Sequence, residues 1–336
     1  MSSFNTGPKG RSFIRMKLAQ WGGNGSQEHT NTFAAARGWP DSFAIAKAAQ
    51  SALTSGDFGT PEAVEYLGAV REKSILGGLI GTRPVAFNVR MNARTNGAAG
   101  FWVGEALPVP LLKPTLAGTT LAAKKVAALI VVTAEGLRSA GPAVEQGLQA
   151  DLDTGCVGAI DSAFLDPANA GSDSIAASVT YGAPTIAATS DAAADLKALV
   201  SAFAGDMSSA YLVTDPSTAM SLALVRGSNG SALYQDASSR GGSVLGIPLL
   251  VSRHSPINTS GGQIALIDAS GITVAIDSIE LSQSENATLA MSDTPTSPAT
   301  QVSMFQTNSV ALKAVIRANW ENERIGGVAV LTGVDY

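Results

Sequence analysis

At 336 residues, the chain is long enough for one large domain or two intercalated ones. Its 22 basic and 27 acidic residues give a net charge of −5, which argues against a nucleic-acid reader with an overall basic field, and its single cysteine excludes an intrachain disulfide framework and a CxxC zinc site. Charged residues make up only 15%, and with neither a membrane-spanning apolar run nor a signal peptide we expect a soluble protein made in the cytoplasm, with no membrane partner.

Residues 1–60 are rich in Gly, Asn, Ser and Gln, which predicts an N-terminal arm and not a domain. One short helix is predicted within it, from Asp41 to Leu53, by apolar residues that recur every four positions. The first seventeen residues carry four basic side chains and no acidic one, namely Lys9, Arg11, Arg15 and Lys17. These form either an arm that contacts a polyanion or a solvated tail.

A long two-stranded ribbon is predicted next. Apolar and polar residues alternate from Val85 to Arg90, and "TLAAKKVAALIVVT" (Thr120–Thr133) is predicted to be the returning strand. Between them, "GFWVGEALPVPLLKPTLAG" (residues 100–118) holds three prolines and forms the tip near Pro108–Pro114. An isolated two-stranded ribbon is marginally stable in water. Another surface must therefore cover it, and the low charge of the chain fits either coverage by neighbours or a monomer with a bland surface.

Gly141–Leu165 predicts one long helix. Its apolar residues recur every four positions and form a single stripe, which consists of Val144, Leu148, Leu152, Cys156, Ile160 and Phe164. Cys156 lies on this stripe with no basic residue nearby in the sequence. We interpret it as a packed core thiol and not as a nucleophile.

Residues Asp191–Asp277 predict a compact α+β unit. A helix begins after Ser190 or Asp191 as N-cap, and the strand "SAYLVT" leads to Asp215 as N-cap and Pro216 at the first position of another helix. The stretches "SVLGIPLLVS" and "GQIALIDASGITVAID" predict strands that are broken at glycines.

Ser309–Trp320 shows the clearest period-two pattern of the chain. Apolar side chains from Val310 to Trp320 alternate with a second set that includes Lys313 and Arg317. Such alternation predicts a strand with one buried face.

The reactive groups that indicate an enzyme are sparse. With only two histidines, His29 and His254, a His-rich metal site is excluded. "GGSVLG" is not a nucleophile elbow, because Leu245 stands where the second glycine belongs, and "GGNGSQ" is neither a Walker A loop nor a dinucleotide fingerprint. We expect no catalytic, cofactor-binding or metal residues. A soluble hydrolase that uses Ser or Asp groups with His254 stays an alternative.

The order of these elements resembles a known family. A flexible arm precedes a ribbon with "FWVGEALPVP" near its tip, then come the strand "KKVAALIVVTAEGLR", a long helix, a helix–strand unit with a "DP"-capped helix, "LGIPLLVS" and the final "SVALKAVIRANW". This order resembles the major capsid proteins of tailed bacteriophages, which have the α+β Hong Kong 97-type fold.

The resemblance implies a set of named parts. They are an N-terminal arm (1–60), a peripheral domain (61–184 and 307–336) that includes an extended loop, the E-loop (85–128), and a spine helix (141–165), and an axial domain (185–306). The E-loop is expected to lie across a neighbouring subunit, with contacts from Phe101, Trp102, Glu105, Pro108, Pro110 and Lys113. The axial loops are expected to surround the centre of each pentamer or hexamer.

The same resemblance implies function and partners. The expected function is a virion shell protein that assembles with itself in the host cytoplasm around double-stranded DNA, which the basic arm residues would face; scaffolding, portal and decoration proteins are further candidate partners. Some members link neighbouring subunits through a lysine–asparagine bond assisted by a glutamate in the last long strand. Lys113 lies beyond the expected place and Ser309–Trp320 contains no glutamate, although Asn308 precedes it, so we expect no cross-link. An encapsulin-type compartment that stores protein cargo is the alternative with the same fold.

Overall fold

The computed structural model describes residues 73–94, 101–105, 108, 116–139, 142–227, 230–257, 261–292, 300–324 and 326–336. Within these residues the helices are α1 (Ile75–Gly78), α2 (Ala134–Ser139), α3 (Pro142–Leu165), α4 (Ala192–Ala202) and α5 (Pro216–Leu224). The strands are β1 (Arg83–Pro84), β2 (Arg90–Arg94), β3 (Leu116–Thr120), β4 (Lys124–Thr133), β5 (Thr185–Ala187), β6 (Ala210–Thr214), β7 (Ala237–Ser238), β8 (Gly241–Val244), β9 (Ile247–Val251), β10 (Gly262–Asp268), β11 (Ile272–Ser284), β12 (Thr288–Ala290), β13 (Gln301–Ser303), β14 (Ser309–Asn322) and β15 (Val328–Val334).

The described strands form four sheets. A seven-stranded sheet has the order β5-β15-β10-β6-β9-β8-β7, a four-stranded sheet has the order β1-β11-β14-β4, and β2-β3 and β12-β13 are two-stranded. The chain divides into two compact units. The described residues within 1–73, 126–159 and 278–317 form the first, and those within 74–125, 160–277 and 318–336 form the second.

The seven-stranded sheet carries the core of the second unit. Strand β10 is buried along its whole length because it lies between β6 and β15, and it is antiparallel to both. Asp191 caps α4 and Asp215 caps α5 by accepting backbone N–H groups, and Pro216 occupies the first turn of α5. The predicted caps, helices and strands of this region are confirmed, and Leu196 and Leu199 of α4 are buried whereas Val200 is exposed.

The predicted break in "SVLGIPLLVS" is a tight hairpin. Strands β8 and β9 pair antiparallel with Val244 opposite Ile247. Leu245 and Gly246, the two residues between them, have φ angles of 53° and 83°. Positive φ at both central positions is typical of a type I′ hairpin turn, and it suits Gly246 but is unusual for a leucine. The exposed Leu245 side chain therefore stands at the tip of this hairpin.

The long helix is confirmed as α3, which covers 24 residues. Its stripe residues Leu148, Leu152, Cys156, Ile160 and Phe164 are buried, whereas the side chain of Val144 lies outside the described residues. Burial, together with the nearby charge of Asp153, raises the pKa of Cys156 to about 11. Such a thiol stays protonated at neutral pH, which fits a core residue and not a nucleophile.

The final alternating strand is confirmed as β14, with Val310, Leu312, Ala314, Ile316, Ala318 and Trp320 buried. It extends two residues further than the pattern predicted, to Asn322, and therefore includes Glu321. The expectation that the last long strand lacks a glutamate holds for Ser309–Trp320 alone. The apolar alternation ends at Trp320 because the next two residues, Glu321 and Asn322, point to opposite faces of the strand and are both polar. The strand itself continues through them.

The ribbon differs from the prediction at both of its strands. The alternating run from Val85 to Arg90 is interrupted by a turn at Asn88, whose φ is 60°, so that β2 begins only at Arg90. The returning strand is β3 (Leu116–Thr120), which pairs antiparallel with β2, and Lys124–Thr133 instead forms β4 of the four-stranded sheet. The predicted arm, including its helix at 41–53, lies outside the described residues.

The last strand, β15, pairs with strands that its position in the sequence did not predict. It pairs antiparallel with β10 and parallel with β5, inside the seven-stranded sheet. Residues 307–336 were expected to belong to the peripheral domain together with β14. We therefore propose that residues 328–334 be grouped with the axial domain.

A buried carboxylate on α3 holds two other segments of the second unit. Asp161 is 1% exposed, accepts the backbone N–H of Ile75 at the start of α1 (3.0 Å) and accepts the Ser252 hydroxyl after β9 (2.8 Å). Burial raises its pKa from 3.8 to about 6, because two hydrogen bonds replace its hydration only in part. Arg253 and His254 follow Ser252 in the sequence, but neither makes an ion pair with Asp161.

This carboxyl predicts a pH dependence of stability. Because its folded pKa is raised, its stabilising contribution is complete below about pH 4 and is lost as the pH rises through about 6, a difference on the order of 3 kcal/mol at neutral pH. Asp161→Asn, which mimics the protonated form, should raise the melting temperature at pH 7.5 and change it little at pH 4. An Asp236→Asn variant at an exposed site is the control. Equal effects of Asp161→Asn at both pH values would contradict this account.

Candidate assembly surface

The stem of the ribbon is a two-stranded ladder. Its register runs from Arg90 opposite Thr120 to Arg94 opposite Leu116, and neither strand pairs with another described strand. The Arg90 side chain crosses the partner strand at Gly118, where a Cβ atom would stand 2.6 Å from the guanidinium Nε. Glycine therefore allows the arginine to lie flat on the ladder. A ladder of this size has too little apolar contact to be stable by itself.

Aromatic side chains project from the ribbon beyond this stem. Trp102 is fully exposed and Phe101 is 48% exposed, and Glu105 and Pro108 are exposed as well. Exposure of a complete indole is unfavourable because roughly 150–250 Å² of mostly apolar surface stays in water. An exposed aromatic patch of this kind is typical of a surface that another molecule covers.

The base of the ribbon, in contrast, is held rigidly within the second unit. The N–H of Asn88 donates to the carbonyl of Leu121 (2.9 Å), and the Asn319 amide donates to the carbonyl of Ala122 (2.7 Å). Trp320, next to Asn319 on β14, donates its indole N–H to the carbonyl of Ala177 (2.7 Å). The Trp320 ring also meets Phe164 edge to face at 5.4 Å, so the ribbon leaves the unit from a packed aromatic base.

Glu321 belongs to this base and was not singled out from the sequence. It is half-buried on β14, burial raises the pKa of its carboxyl, and a hydrogen bond from Thr119 on β3 opposes that shift. The continuing ladder of β14 is what brings Glu321 against the ribbon. A signal existed in the sequence, since Glu321 directly follows the predicted strand.

The other predicted residues fall into two groups. Asn308 is exposed in the turn before β14, with a φ of 48°, and its carbonyl accepts the N–H of Ala134. Pro110, Lys113 and the basic arm residues Lys9, Arg11, Arg15 and Lys17 lie outside the described residues. The structure therefore describes four of the six proposed E-loop contacts, and all four are exposed.

The described residues around His254 do not form a catalytic Ser-His-Asp triad, which the hydrolase alternative would need. Burial and the charge of Arg253 lower the pKa of this half-buried imidazole. The backbone N–H of His254 donates to the Ser252 hydroxyl (3.2 Å), but within the described residues no hydrogen bond joins the imidazole ring to a serine or aspartate side chain. Ser252, its near neighbour, donates to Asp161 instead.

The described residues also hold no group of three or more His, Cys, Asp or Glu side chains that could bind a metal ion. Among the same residues, no helix is both long enough and apolar enough to cross a membrane.

Sequence comparison gives two matches. Residues 62–332 match the model of a family described as the phage capsid family. The capsid polyprotein of Pseudomonas phage PAJU2 is 33% identical over 291 residues, which cover 81% of this chain and 43% of that protein. The chain thus spans less than half of the length of this curated relative.

Solved structures with a similar fold include chains from two phages and the capsid of a GTA particle. A chain of Mycobacterium phage Cain has a TM-score of 0.57 at 19% identity, over 85% of this chain and 97% of that one. A chain of Mycobacterium phage Adephagia gives 0.57 and 19%, over 78% and 91%. A chain described as the capsid of a native GTA particle gives 0.53 and 16%, over 76% and 89%. At these identities the similarity concerns the fold.

Proposed function

Because the chain belongs to the phage capsid family and has the Hong Kong 97-type fold, we propose that it is the major capsid subunit of a tailed phage, which assembles with copies of itself into the pentamers and hexamers of an icosahedral shell. The family match over residues 62–332 carries this proposal. The family consists of capsid proteins and is not an enzyme family, which argues against the hydrolase alternative.

The exposed ribbon supports the proposal physically. A ribbon that is two-stranded at its stem and carries an uncovered tryptophan needs a surface outside its own chain. In a closed shell each subunit offers such a ribbon and receives one, so the same contact repeats at every position. We propose that Phe101, Trp102, Glu105, Pro108, Pro110 and Lys113 make this contact.

The aromatic tip predicts an assembly defect without a folding defect. Trp102→Ala should abolish or sharply reduce particles in sedimentation and negative-stain microscopy, because it removes the largest apolar group of the proposed contact. Its melting temperature as a free subunit should stay that of the wild type, since Trp102 is fully exposed there. Trp102→Phe, which keeps an aromatic ring, should assemble. Normal particles from Trp102→Ala would remove the ribbon tip from the interface.

The content of the particle separates the phage capsid from a protein-storing compartment. We propose that the shell encloses double-stranded DNA and that Lys9, Arg11, Arg15 and Lys17 face its phosphates through a salt-dependent, sequence-independent attraction. Replacing these four residues by alanine should leave particles intact and lower their nuclease-protected DNA, or its retention at high salt. Particles that hold protein cargo and no DNA would instead favour the encapsulin-type alternative.

We propose that neighbouring subunits are held without covalent links. Two observations led to this expectation: the position of Lys113 and the lack of a glutamate in the last long strand. The second no longer holds, because β14 includes Glu321. The proposal therefore rests on Lys113, which lies beyond the place where the resemblance expects the linking lysine. Mature particles should therefore run as a single monomer band on a reducing denaturing gel. A ladder of multimers that disappears in Lys113→Arg would contradict this expectation and assign the link to that lysine.

The parts of the chain follow from the same proposal. The arm (1–60), the peripheral domain with its spine helix and E-loop, and the axial domain around the capsomer centre would have the roles that the family resemblance implies, with 328–334 regrouped. The mature particle is the proposed location of the protein, after assembly in the host cytoplasm. Scaffolding, portal and decoration proteins remain proposed partners.

A further inference from the structure

A cleft lies at the base of the ribbon, entirely within the second unit. Its volume is about 650 Å³, and its walls come from residues 120–124 after β3, from residues 170–181 in the loop after α3, and from residues 319–322 at the end of β14. Sites of roughly 300–1,000 Å³ hold small ligands or a few side chains. The cleft is therefore large enough for an aromatic residue and its neighbours.

Side-chain hydrogen bonds hold the loop that forms one wall. Asn169 donates its amide to the carbonyls of Ala163 (3.0 Å) and Ala176 (2.8 Å), and the Ser178 hydroxyl donates to the carbonyl of Phe164 (2.6 Å). Trp320 holds the same loop from the other side through Ala177. A wall that is fixed before binding lowers the entropy that an incoming segment must lose.

The cleft has an apolar floor and an exposed apolar rim. Leu121, Val179 and Trp320 are buried beneath it. Ile175 and Tyr181, on the loop wall, are 51% and 54% exposed, which is high for side chains of their size. An apolar rim around a preformed hollow is typical of a surface that a partner covers.

The ammonium group of Lys124 is the charged group with spare donor capacity in this cleft. Its Nζ donates to the carbonyls of Ser172 (2.5 Å) and Asp173 (2.9 Å). An ammonium has three N–H donors, so one donor is left for an incoming acceptor. A carboxylate is the best such acceptor, because the hydrogen bond is then charge-assisted.

The exposed tip of the ribbon has the matching chemistry. Phe101 and Trp102 supply two uncovered aromatic rings, and Glu105 follows them with an exposed carboxylate. Trp102 does not occupy the cleft of its own chain, since its side chain is fully exposed. The occupant that fits the cleft is therefore the tip of a second copy.

We propose that the cleft of one subunit receives residues 101–105 of a neighbouring copy, with Trp102 over the apolar floor and the Glu105 carboxylate bound to Lys124. This rests on the proposed shell function and names the seat of the ribbon tip. Each subunit gives one tip and receives another, so the contact is heterologous and closes when the ring of copies closes.

A double-mutant cycle tests the pair, read as particle yield by sedimentation. Glu105→Gln and Lys124→Met should each lower the yield, and the double variant Glu105→Gln/Lys124→Met should lose little more than Lys124→Met alone, because the partner of Glu105 is then already absent. Lys125→Met, one residue along β4 and exposed, is the matched control, and its effect should add to that of Glu105→Gln. Fully additive losses for Glu105→Gln/Lys124→Met would overturn the pairing.

A cross-linking experiment tests the seat without altering Lys124. Cys156 is fully buried and its pKa is raised, so added cysteines are the reactive ones. Particles of Gly104→Cys/Ile175→Cys, which keep Glu105 and carry the added thiol at an exposed position, should give covalent multimers when treated with a short bis-maleimide, whereas Gly104→Cys/Leu245→Cys should not. Particles that form but yield no multimers from the first pair would refute the seat and leave the shell function standing. Failure of the wild-type protein to form particles would refute the shell function itself.

Discussion

The structure depends on a ribbon that cannot bury its own apolar surface. Strands β2 and β3 form a ladder with no third described strand, and the aromatic residues beyond it are exposed. A single subunit is therefore left with an uncovered apolar projection. The well-packed base around Trp320 has the complementary role, because it holds the ribbon at a defined place on the unit.

The interior and the surface of the chain differ in how their apolar side chains are covered. Strand β10 lies inside the seven-stranded sheet, and all of its residues are buried. Helices α4 and α5 of the same unit are capped by aspartate side chains. The surface has few charges and several exposed apolar side chains, which suits contacts that repeat around a shell. Asp161 shows that the interior also contains an unfavourable group, a buried carboxylate that joins α3 to α1 and to the end of β9 and has no ion-pair partner among the described residues.

Most local elements could be predicted, whereas strand partners could not. The period of α3, the caps at Asp191 and Asp215 and the alternation of β14 all act between residues close in sequence, so a single chain displays them. The returning strand of the ribbon was misassigned because Leu116–Thr120 is short and weakly patterned, while Lys124–Thr133 has the stronger apolar signal. Pairing between strands depends on register and neighbours, which the strength of a pattern does not report.

By itself, the sequence determined helices α3, α4 and α5 with the caps of the last two, the break between strands at Gly246, the core role of Cys156 and the resemblance to a capsid family. Only the tertiary structure decided that β15 joins the seven-stranded sheet and that β14 carries Glu321 to the ribbon base. It also decided that a cleft lies at this base and contains Lys124, whose ammonium has one N–H donor left. The reason is physical. Propensity, capping and periodicity are short-range, but a cleft and a raised pKa arise from segments far apart in the chain that burial brings together.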